Sequence, residues 1–423
     1  MKLVEKHIEW LVAIAVVLIT TYGLFRSLME TLNSLNTIRY VGYLTIPLLC
    51  LIFLHQRYHY GRKILDKFFF AFYFIYYAYV FFDMTLFRRY PLDKMVSVPP
   101  SIPVYFYYLV ISIGYLLCAK TIVLHFNLKK YLFLSLIICT IPSIMFIHYV
   151  GVEVIQAGIG EDDEQYINTL NITYSNIPML VLAVMNFNNL LSKKWLSMLV
   201  CSGIIAAVLY ILLSYGKRGP MLWSFVSIIM CFIIKSVSRK KIVSLFGIII
   251  VTFVVFLDPI IDGIKEVLPR TGKKLELSLK EGNTSGRFNM DDPKHSTYLI
   301  GLENFSCSPI WGYYFRLVTD YKHYQGTYAH NVFIEILQTM GLLGFIPFVL
   351  LLLKAYHKSR TVFVRSHTPN QMSFFILFLC VFLQLQTTGT CVFKNSFWLF
   401  FYILCCLEKI GCVHNPSSYT IER

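Results

Sequence analysis

His330 and Asn331 are the residues of this chain with the clearest chemical potential. They stand where a long polar stretch, 258–329, gives way to an apolar one. An imidazole can take and return a proton near neutral pH, because its unperturbed pKa is about 6.5. A helix that begins here favours the neutral ring, since the positive end of a helix disfavours imidazolium. We therefore predict that His330 handles a proton. The simpler alternative is a structural His-Asn pair in which Asn331 caps the helix.

Glu335 stands about one turn further into the apolar stretch. Asn331, Glu335 and Gln338 fall at i, i+4 and i+7, so they share one face of a helix. A carboxylate inside a membrane helix is costly unless it is paired or faces a wet cavity. Glu335 is therefore expected to pair with an arginine or to bind sugar hydroxyls.

Two arginines of the polar stretch suit an anionic ligand. In Asn283-Thr284-Ser285-Gly286-Arg287, small turn-forming residues precede a guanidinium, whose planar fork matches phosphate oxygens. An ordinary turn is the simpler interpretation. Arg316 could be a second phosphate ligand or a surface base. Residues 306–313 predict a turn packed on a membrane-parallel helix near 293–306, which is a structural role.

Composition places the chain in a membrane. Hydrophobic residues make up 57% of the chain and charged residues 14%, and the mean hydropathy is +0.61. A soluble domain of this length has too little polar surface to cover so much apolar material, so soluble enzymes are excluded. The net charge of +15 comes from short basic clusters between apolar runs. Such clusters are typical of topology signals, and we expect no nucleic-acid partner.

The apolar runs predict an all-α integral membrane protein. Runs of about 17 to 25 apolar residues are long enough to cross about 30 Å of hydrocarbon. The count of twelve could change by one or two, because two pairs of spans are joined by tight hairpins. The predicted spans are 8–25, 40–56, 68–87, 103–126, 130–150, 175–192, 195–214, 219–235, 242–257, 331–353, 371–390 and 395–411.

Lysines and arginines of the short connections alternate along the chain and predict its orientation. Both termini should be cytoplasmic, with the polar stretch outside. The predicted domains are an N-terminal bundle at 1–257, the outward loop at 258–329, C-terminal spans at 330–411 and a cytoplasmic tail at 412–423.

Four basic residues break this alternation on the outward side. Arg88 and Arg89 follow the third span, where they could snorkel to lipid headgroups or contact a substrate. Lys217 and Arg218 fill a turn of a few residues after the seventh span. A positive pair in so short an outward turn opposes insertion, which indicates a binding role.

The cysteines and histidines predict neither a metal site nor a cofactor. No cysteine pair has zinc-ligand spacing, and most cysteines lie in or beside apolar runs. A bridge between Cys307 and Cys391 is conceivable, but free thiols are the preferred interpretation.

Together these residues describe one kind of chemistry. Arginines at a bilayer surface suit a lipid-linked diphosphate, and a neutral histidine suits deprotonation of an alcohol. The combination predicts transfer of a group from a lipid diphosphate to a hydroxyl, with arginine charge stabilising the leaving group.

The order of these motifs resembles the O-antigen ligase/polymerase superfamily. The residues that carry the resemblance are Lys217-Arg218-Gly219, Ser285-Gly286-Arg287, Trp311-Gly312, His330-Asn331, Glu335 and Gly341-Leu342-Leu343-Gly344. The resemblance implies a metal-independent, inverting membrane glycosyltransferase of the GT-C type in the bacterial inner membrane. Its substrate would be an oligosaccharide linked to undecaprenyl diphosphate. By position, Arg218 and Arg287 would hold the diphosphate, and His330 would be the base or orient the acceptor. Lys217 stands where a serine is expected, which changes the shape of that phosphate site.

The resemblance leaves the acceptor open. A polymerase transfers the glycan to another lipid-linked repeat unit, and a ligase transfers it to the lipid A core. We favour the polymerase because polymerases are more varied and this chain is very aromatic. A chain-length regulator protein is then a possible partner, beside the membrane lipid. A flippase or transporter is the alternative from another class, but the scarcity of charged residues within the spans speaks against it.

Overall fold

The computed structural model describes residues 2–31, 37–61, 65–85, 102–152, 169–235, 262, 265, 266, 276, 297–312, 329–365 and 369–411. Its regular elements are helices, and no strand occurs in these ranges. The α-helices are α1 (Lys2–Thr31), α2 (Thr37–Tyr60), α3 (Lys67–Thr85), α4 (Ile102–His125), α5 (Leu128–Ser135), α6 (Ile141–Val150), α7 (Thr169–Met185), α8 (Lys194–Tyr215), α9 (Arg218–Lys235), α10 (Thr297–Cys307), α11 (Val332–Arg365), α12 (Pro369–Gln384) and α13 (Asn395–Gly411). A π-helical segment (Leu136–Thr140) joins α5 to α6, and a short 3-10 helix (Cys391–Phe393) precedes α13.

The all-helical class predicted from the apolar runs is confirmed for the described residues. Within the described ranges, four helices are long and apolar enough to cross a membrane: Phe106–His125, Leu128–Val150, Lys194–Tyr215 and Val332–Thr361. Each of the other predicted spans overlaps a helix, but those at 175–192 and 371–390 run past the helix ends at Met185 and Gln384, and the span predicted at 242–257 lies outside the described residues. The full twelve-span topology and the four predicted domains stay predictions.

The chain divides into two compact units. The first contains Met1–Val12, Leu44–Phe126 and Ser285–Arg423, and the second contains Ala13–Tyr43 and Asn127–Thr284. His330, Glu335 and the predicted docking turn belong to the first unit. Lys217 and Arg218 belong to the second.

An aromatic core organises the first unit. Helix α13 packs against α4, α11 and α12, while α11 also packs against α3 and α10. Trp398 of α13 is fully buried, and its ring lies 5.2 Å from that of Tyr73 and 5.3 Å from that of Tyr76. Aromatic pairs at this spacing stabilise beyond the area that they bury. The middle of α3 is thus packed against the start of α13.

Two ion pairs close one end of the first unit. Lys354 of α11 pairs with Asp66, just before α3, and Lys358 pairs with Glu408 of α13. The Lys/Arg pattern predicts that these connections share the cytoplasmic side. The ion pairs agree with that shared side within the unit.

Polar residues inside the second unit join α7 to the α5–α6 segment. The Thr140 hydroxyl donates to Asn176 Oδ1 over 2.9 Å, and Asn176 Nδ2 donates to Ser143 Oγ over 3.0 Å. Hydrogen bonds between helices add to packing where water is excluded. At the far end of α8, Gly216 adopts the left-handed conformation (φ 54°), which ends the helix and turns the chain into α9.

Candidate functional site

His330 and Asn331 form the turn that starts α11. The Asn331 side-chain oxygen accepts hydrogen bonds from the backbone N–H groups of Phe333 (3.0 Å) and Ile334 (3.2 Å). This is N-capping, which satisfies two donors that have no partner inside the helix. The structure therefore favours the structural interpretation of Asn331. Its cap aligns the first turn of α11 directly after His330.

His330 has an unusual backbone conformation. Its φ is +54°, and no other described residue except glycine has a positive φ. The left-handed region costs an L-residue roughly 1–2 kcal/mol, although histidine and asparagine enter it more readily than most. Strain of this kind concentrates at functional sites, where the surrounding structure holds it. The strained backbone of His330 therefore supports a functional role for this residue.

Glu335 is buried in a hydrogen-bond network. Its Oε1 accepts from the Tyr76 hydroxyl (2.7 Å), the Thr390 hydroxyl (2.5 Å) and the Cys391 thiol (3.2 Å), while its Oε2 accepts from the Cys391 backbone N–H (3.3 Å). Only 3% of Glu335 is exposed. Donors thus surround the carboxylate, and its partners among the described residues do not include an arginine.

This network ties three parts of the first unit together. Tyr76 comes from α3, Glu335 from α11, and Thr390 and Cys391 from the connection between α12 and α13. The connection is fixed further, since the Trp398 indole N–H donates to the Cys391 carbonyl over 2.8 Å. Its first residue also reaches α11, because the Val332 N–H donates to the Leu385 carbonyl over 3.1 Å. The network therefore holds the first turn of α11, which begins two residues after His330.

The other member of the predicted stripe, Gln338, faces α10. It is 4% exposed, and a Cβ atom added at Gly301 of α10 would lie 3.3 Å from its Oε1. The same atom would lie 2.5 Å from Ile334 Cγ2. Only a glycine therefore allows α10 to approach α11 this closely.

A glycine pair joins the turn after α10 to a break in α11. Gly341 has φ 61° and ψ −158° in the middle of α11, and Gly312 has φ 79°. The Leu342 N–H donates to the Pro309 carbonyl over 2.8 Å, and the Leu343 N–H donates to the Ile310 carbonyl over 3.2 Å. The turn thus supplies acceptors to a new helix start, whose N–H groups would otherwise have no partner. These contacts fit the structural role predicted for residues 306–313. We call the pairing of residues 309–312 with residues 341–343 the glycine clasp.

The predicted phosphate ligands are placed only in part. Arg88, Arg89, Arg287 and Arg316 lie outside the described residues. Lys217 and Arg218 stand at the start of α9, and the Met221 N–H donates to the Lys217 carbonyl over 3.4 Å. Cations at a helix N-terminus are unfavourable unless an anion is present, because the exposed N–H groups already carry positive charge.

One further cation was not singled out from the sequence. Lys394 stands between the 3-10 helix and α13, just beyond the residues that bind Glu335. Burial lowers the pKa of Lys394 to about 8. In the described ranges its ammonium group has no hydrogen-bond or ion-pair partner. Lys394 is therefore a candidate cation three residues along the chain from Cys391, which binds Glu335.

The sequence also missed the partners of Glu335. Tyr76 lies in a run of aromatic residues that carries no local signal. Thr390 does have a local signal in the sequence, because Thr387-Thr388-Gly389-Thr390 is too polar for the end of a span. The predicted span 371–390 is too long in this respect, since helix α12 ends at Gln384. The polar residues after it form a turn instead.

The thiols are free in the described part of the chain. Cys307 is exposed and Cys391 is buried, and both are unpaired as preferred from the sequence. Within the described ranges, no group of His, Cys, Asp and Glu side chains could hold a metal ion.

We expect Glu335→Ala to destabilise the protein. The Tyr76 and Thr390 hydroxyls and the Cys391 N–H would lose their acceptor, and each unsatisfied buried donor costs about 1–3 kcal/mol. Glu335→Gln keeps one oxygen acceptor and should cost less. Thermal unfolding of the purified protein would measure both changes. The exposed Glu303 of α10 is the control, and Glu303→Ala should unfold with the parent. If Glu335→Ala kept parental stability but weakened glycan binding, sugar recognition would be the better role for Glu335.

The fold and these contacts define an all-helical membrane protein with a histidine-bearing turn at the start of a broken helix. Residues 203–349 match the family model described as O-Antigen ligase. The matched range contains every motif from Lys217 to Gly344. The match supports the resemblance to the O-antigen ligase/polymerase superfamily over these residues. No curated protein matches the chain.

Proposed function

We propose that this protein is a surface-polysaccharide polymerase. It would transfer a glycan from undecaprenyl diphosphate to a hydroxyl of another lipid-linked repeat unit. The observation that carries the proposal is the strained His330 at the start of α11, inside the family match. The Asn331 cap and the Glu335 network hold that residue in place.

His330 would take the proton from the acceptor hydroxyl as that oxygen attacks the anomeric carbon of the donor sugar. The bond from that carbon to the phosphate oxygen breaks, and undecaprenyl diphosphate leaves. A positioned general base contributes about 10²–10⁴-fold to such a step. Attack opposite the leaving group inverts the configuration at the anomeric carbon.

The diphosphate would be bound by arginine side chains. The start of α9 combines two basic residues, Lys217 and Arg218, with the positive end of a helix, an arrangement suited to an anion. Arg287 and Arg316 are further candidates from the sequence, as are Arg88 and Arg89 near the headgroups. Each remains a proposal.

We expect Arg287→Lys to impair transfer strongly. A lysine keeps the charge but loses the paired hydrogen bonds of the guanidinium. Loss of one charge-assisted contact costs about 1.5–3 kcal/mol, or roughly ten- to a hundredfold in rate. Steady-state transfer from a lipid-diphosphate donor would measure this. Arg270→Lys, in the same polar stretch, is the matched control and should have little effect. Equal activity of the two variants would reduce Arg287 to a turn residue.

The ligase is the second candidate, because the matching family does not distinguish it from the polymerase. Polymerase and ligase accept the same donor and differ in the acceptor. Deleting the gene in its host separates them. Loss of a polymerase leaves single repeat units on the cell surface, whereas loss of a ligase leaves the complete polymer on its lipid carrier. Single surface units after deletion would support the polymerase, and lipid-linked polymer would contradict it.

A further inference from the structure

We infer that residues 297–312 form a re-entrant element, which enters the bilayer beside α11 so that Ile310 and Trp311 contact lipid acyl chains. This inference does not depend on the reaction. It replaces the expectation that the helix near 293–306 lies parallel to the membrane.

Residues 297–312 run alongside α11 in the same direction. Gly301 of α10 lies against Ile334 and Gln338, near the start of α11. Further along both elements, Pro309 and Ile310 accept hydrogen bonds from Leu342 and Leu343. The contacts advance along α10 and α11 in the same direction, so the segment runs beside α11 as far as its break.

The break in α11 at Gly341 lies within the hydrocarbon if α11 spans the bilayer. Residues Val332–Thr361 form an apolar stretch long enough to span a membrane, and the Lys354–Asp66 pair marks its polar end. Gly341 lies thirteen residues before Lys354, which is about 20 Å along a helix. Hydrocarbon about 30 Å thick would then extend about 10 Å beyond Gly341. The glycine clasp therefore lies within the half of the bilayer nearer to His330.

The turn after α10 exposes large apolar side chains. Ile310 is 55% exposed and Trp311 is 64% exposed, and they continue into Leu342 and Leu343 of α11, which are 42% and 50% exposed. A contiguous apolar surface of this kind is unfavourable in water and favourable in hydrocarbon.

The backbone of the turn is compatible with that location. Irregular backbone is tolerated at membrane depth where it is buried in protein. The turn packs its backbone against α11, because a Cβ atom added at Gly312 would collide with the Thr339 carbonyl oxygen and the Met340 N. Here the Gly312 N–H donates to the Ser308 carbonyl over 2.9 Å, and the Ser308 N–H donates to the Phe305 carbonyl over 3.1 Å. The Pro309 and Ile310 carbonyls are satisfied by the glycine clasp. Proline at 309 has no N–H to satisfy.

Tryptophan fluorescence tests the inference on the intact protein. The parent and Trp311→Phe would be reconstituted in phosphatidylcholine vesicles, with and without bromine on the acyl chains, and titrated with iodide in the water. The emission that Trp311→Phe lacks belongs to Trp311. Trp195, at the start of α8, is the control because its exposure is also 64%. The emission that Trp195→Phe lacks belongs to Trp195. Iodide should quench it, because the sequence places Trp195 at a membrane boundary.

We expect brominated chains to remove most of the Trp311 emission while iodide leaves it unchanged. Quenching of Trp311 by iodide, without quenching by brominated chains, would place the turn in water and overturn the inference. Resistance to both quenchers would mean that another part of the protein covers Trp311, which also contradicts contact with lipid.

Discussion

Replacing His330 with asparagine should nearly abolish glycan transfer while the fold is retained. Asparagine is one of the few residues other than glycine that accept the left-handed conformation seen at this position (φ 54°). The variant therefore preserves the backbone at the start of α11 and removes only the imidazole. Losing a general base should lower the rate by about 10²–10⁴-fold. Transfer assays and thermal unfolding of the same purified sample would measure the two effects separately.

Two further variants separate chemistry from conformation. Glycine suits a positive φ better than any other residue, so His330→Gly should also fold and be inactive. His323→Ala removes a histidine from the polar stretch seven residues earlier and should leave transfer unchanged. If His330→Asn and His330→Gly both transferred glycan at close to the parental rate, position 330 would serve only to turn the chain into α11.

Gly341→Ala should strongly destabilise the first unit. With φ 61° and ψ −158°, Gly341 occupies a region that is essentially restricted to glycine. An added Cβ would also collide with the Ile310 carbonyl and lie 2.5 Å from the Gly312 N. Conformational strain and collision together should cost about 3 kcal/mol or more. Thermal unfolding in detergent would show the loss, and Gly312→Ala should reproduce it from the other side of the glycine clasp.

Gly203 provides the matched control for this prediction. It lies in helix α8, and a Cβ added there would meet no atom within 4 Å. Alanine in a helix interior is favoured over glycine by roughly 0.5–1 kcal/mol, so Gly203→Ala should be neutral or slightly stabilising. Equal unfolding temperatures for Gly341→Ala and Gly203→Ala would mean that the clasp does not hold the two segments together.

Local features of the fold and site were predictable because their causes are local. Uninterrupted apolar runs require helices in a membrane, since every backbone polar group must be satisfied within the segment. Asn331 follows the polar stretch and precedes an apolar helix, which is the position of an N-cap. Ser306–Gly312 contains a proline and a glycine beside large apolar residues, and a docking turn follows from that composition.

The Glu335 network was not predictable, because its members are far apart in the sequence. Tyr76 and Thr390 lie 259 and 55 residues from Glu335. Which of many tyrosines and threonines reaches the carboxylate depends on how α3, α11 and α13 pack. The sequence could show only that a buried carboxylate needs partners. Arginine was the chemically obvious choice, but hydroxyl, thiol and backbone donors occupy the carboxylate.

The most direct test of the account is transfer by the purified parent protein in proteoliposomes, with an undecaprenyl-diphosphate-linked repeat unit as the only added glycan. We expect release of undecaprenyl diphosphate and growth of a longer lipid-linked glycan whose new linkage has inverted anomeric configuration. His330→Asn should give neither product. Movement of the donor across the bilayer without cleavage would contradict the account and identify a transporter. Transfer that proceeds equally well in parent and His330→Asn would contradict the site.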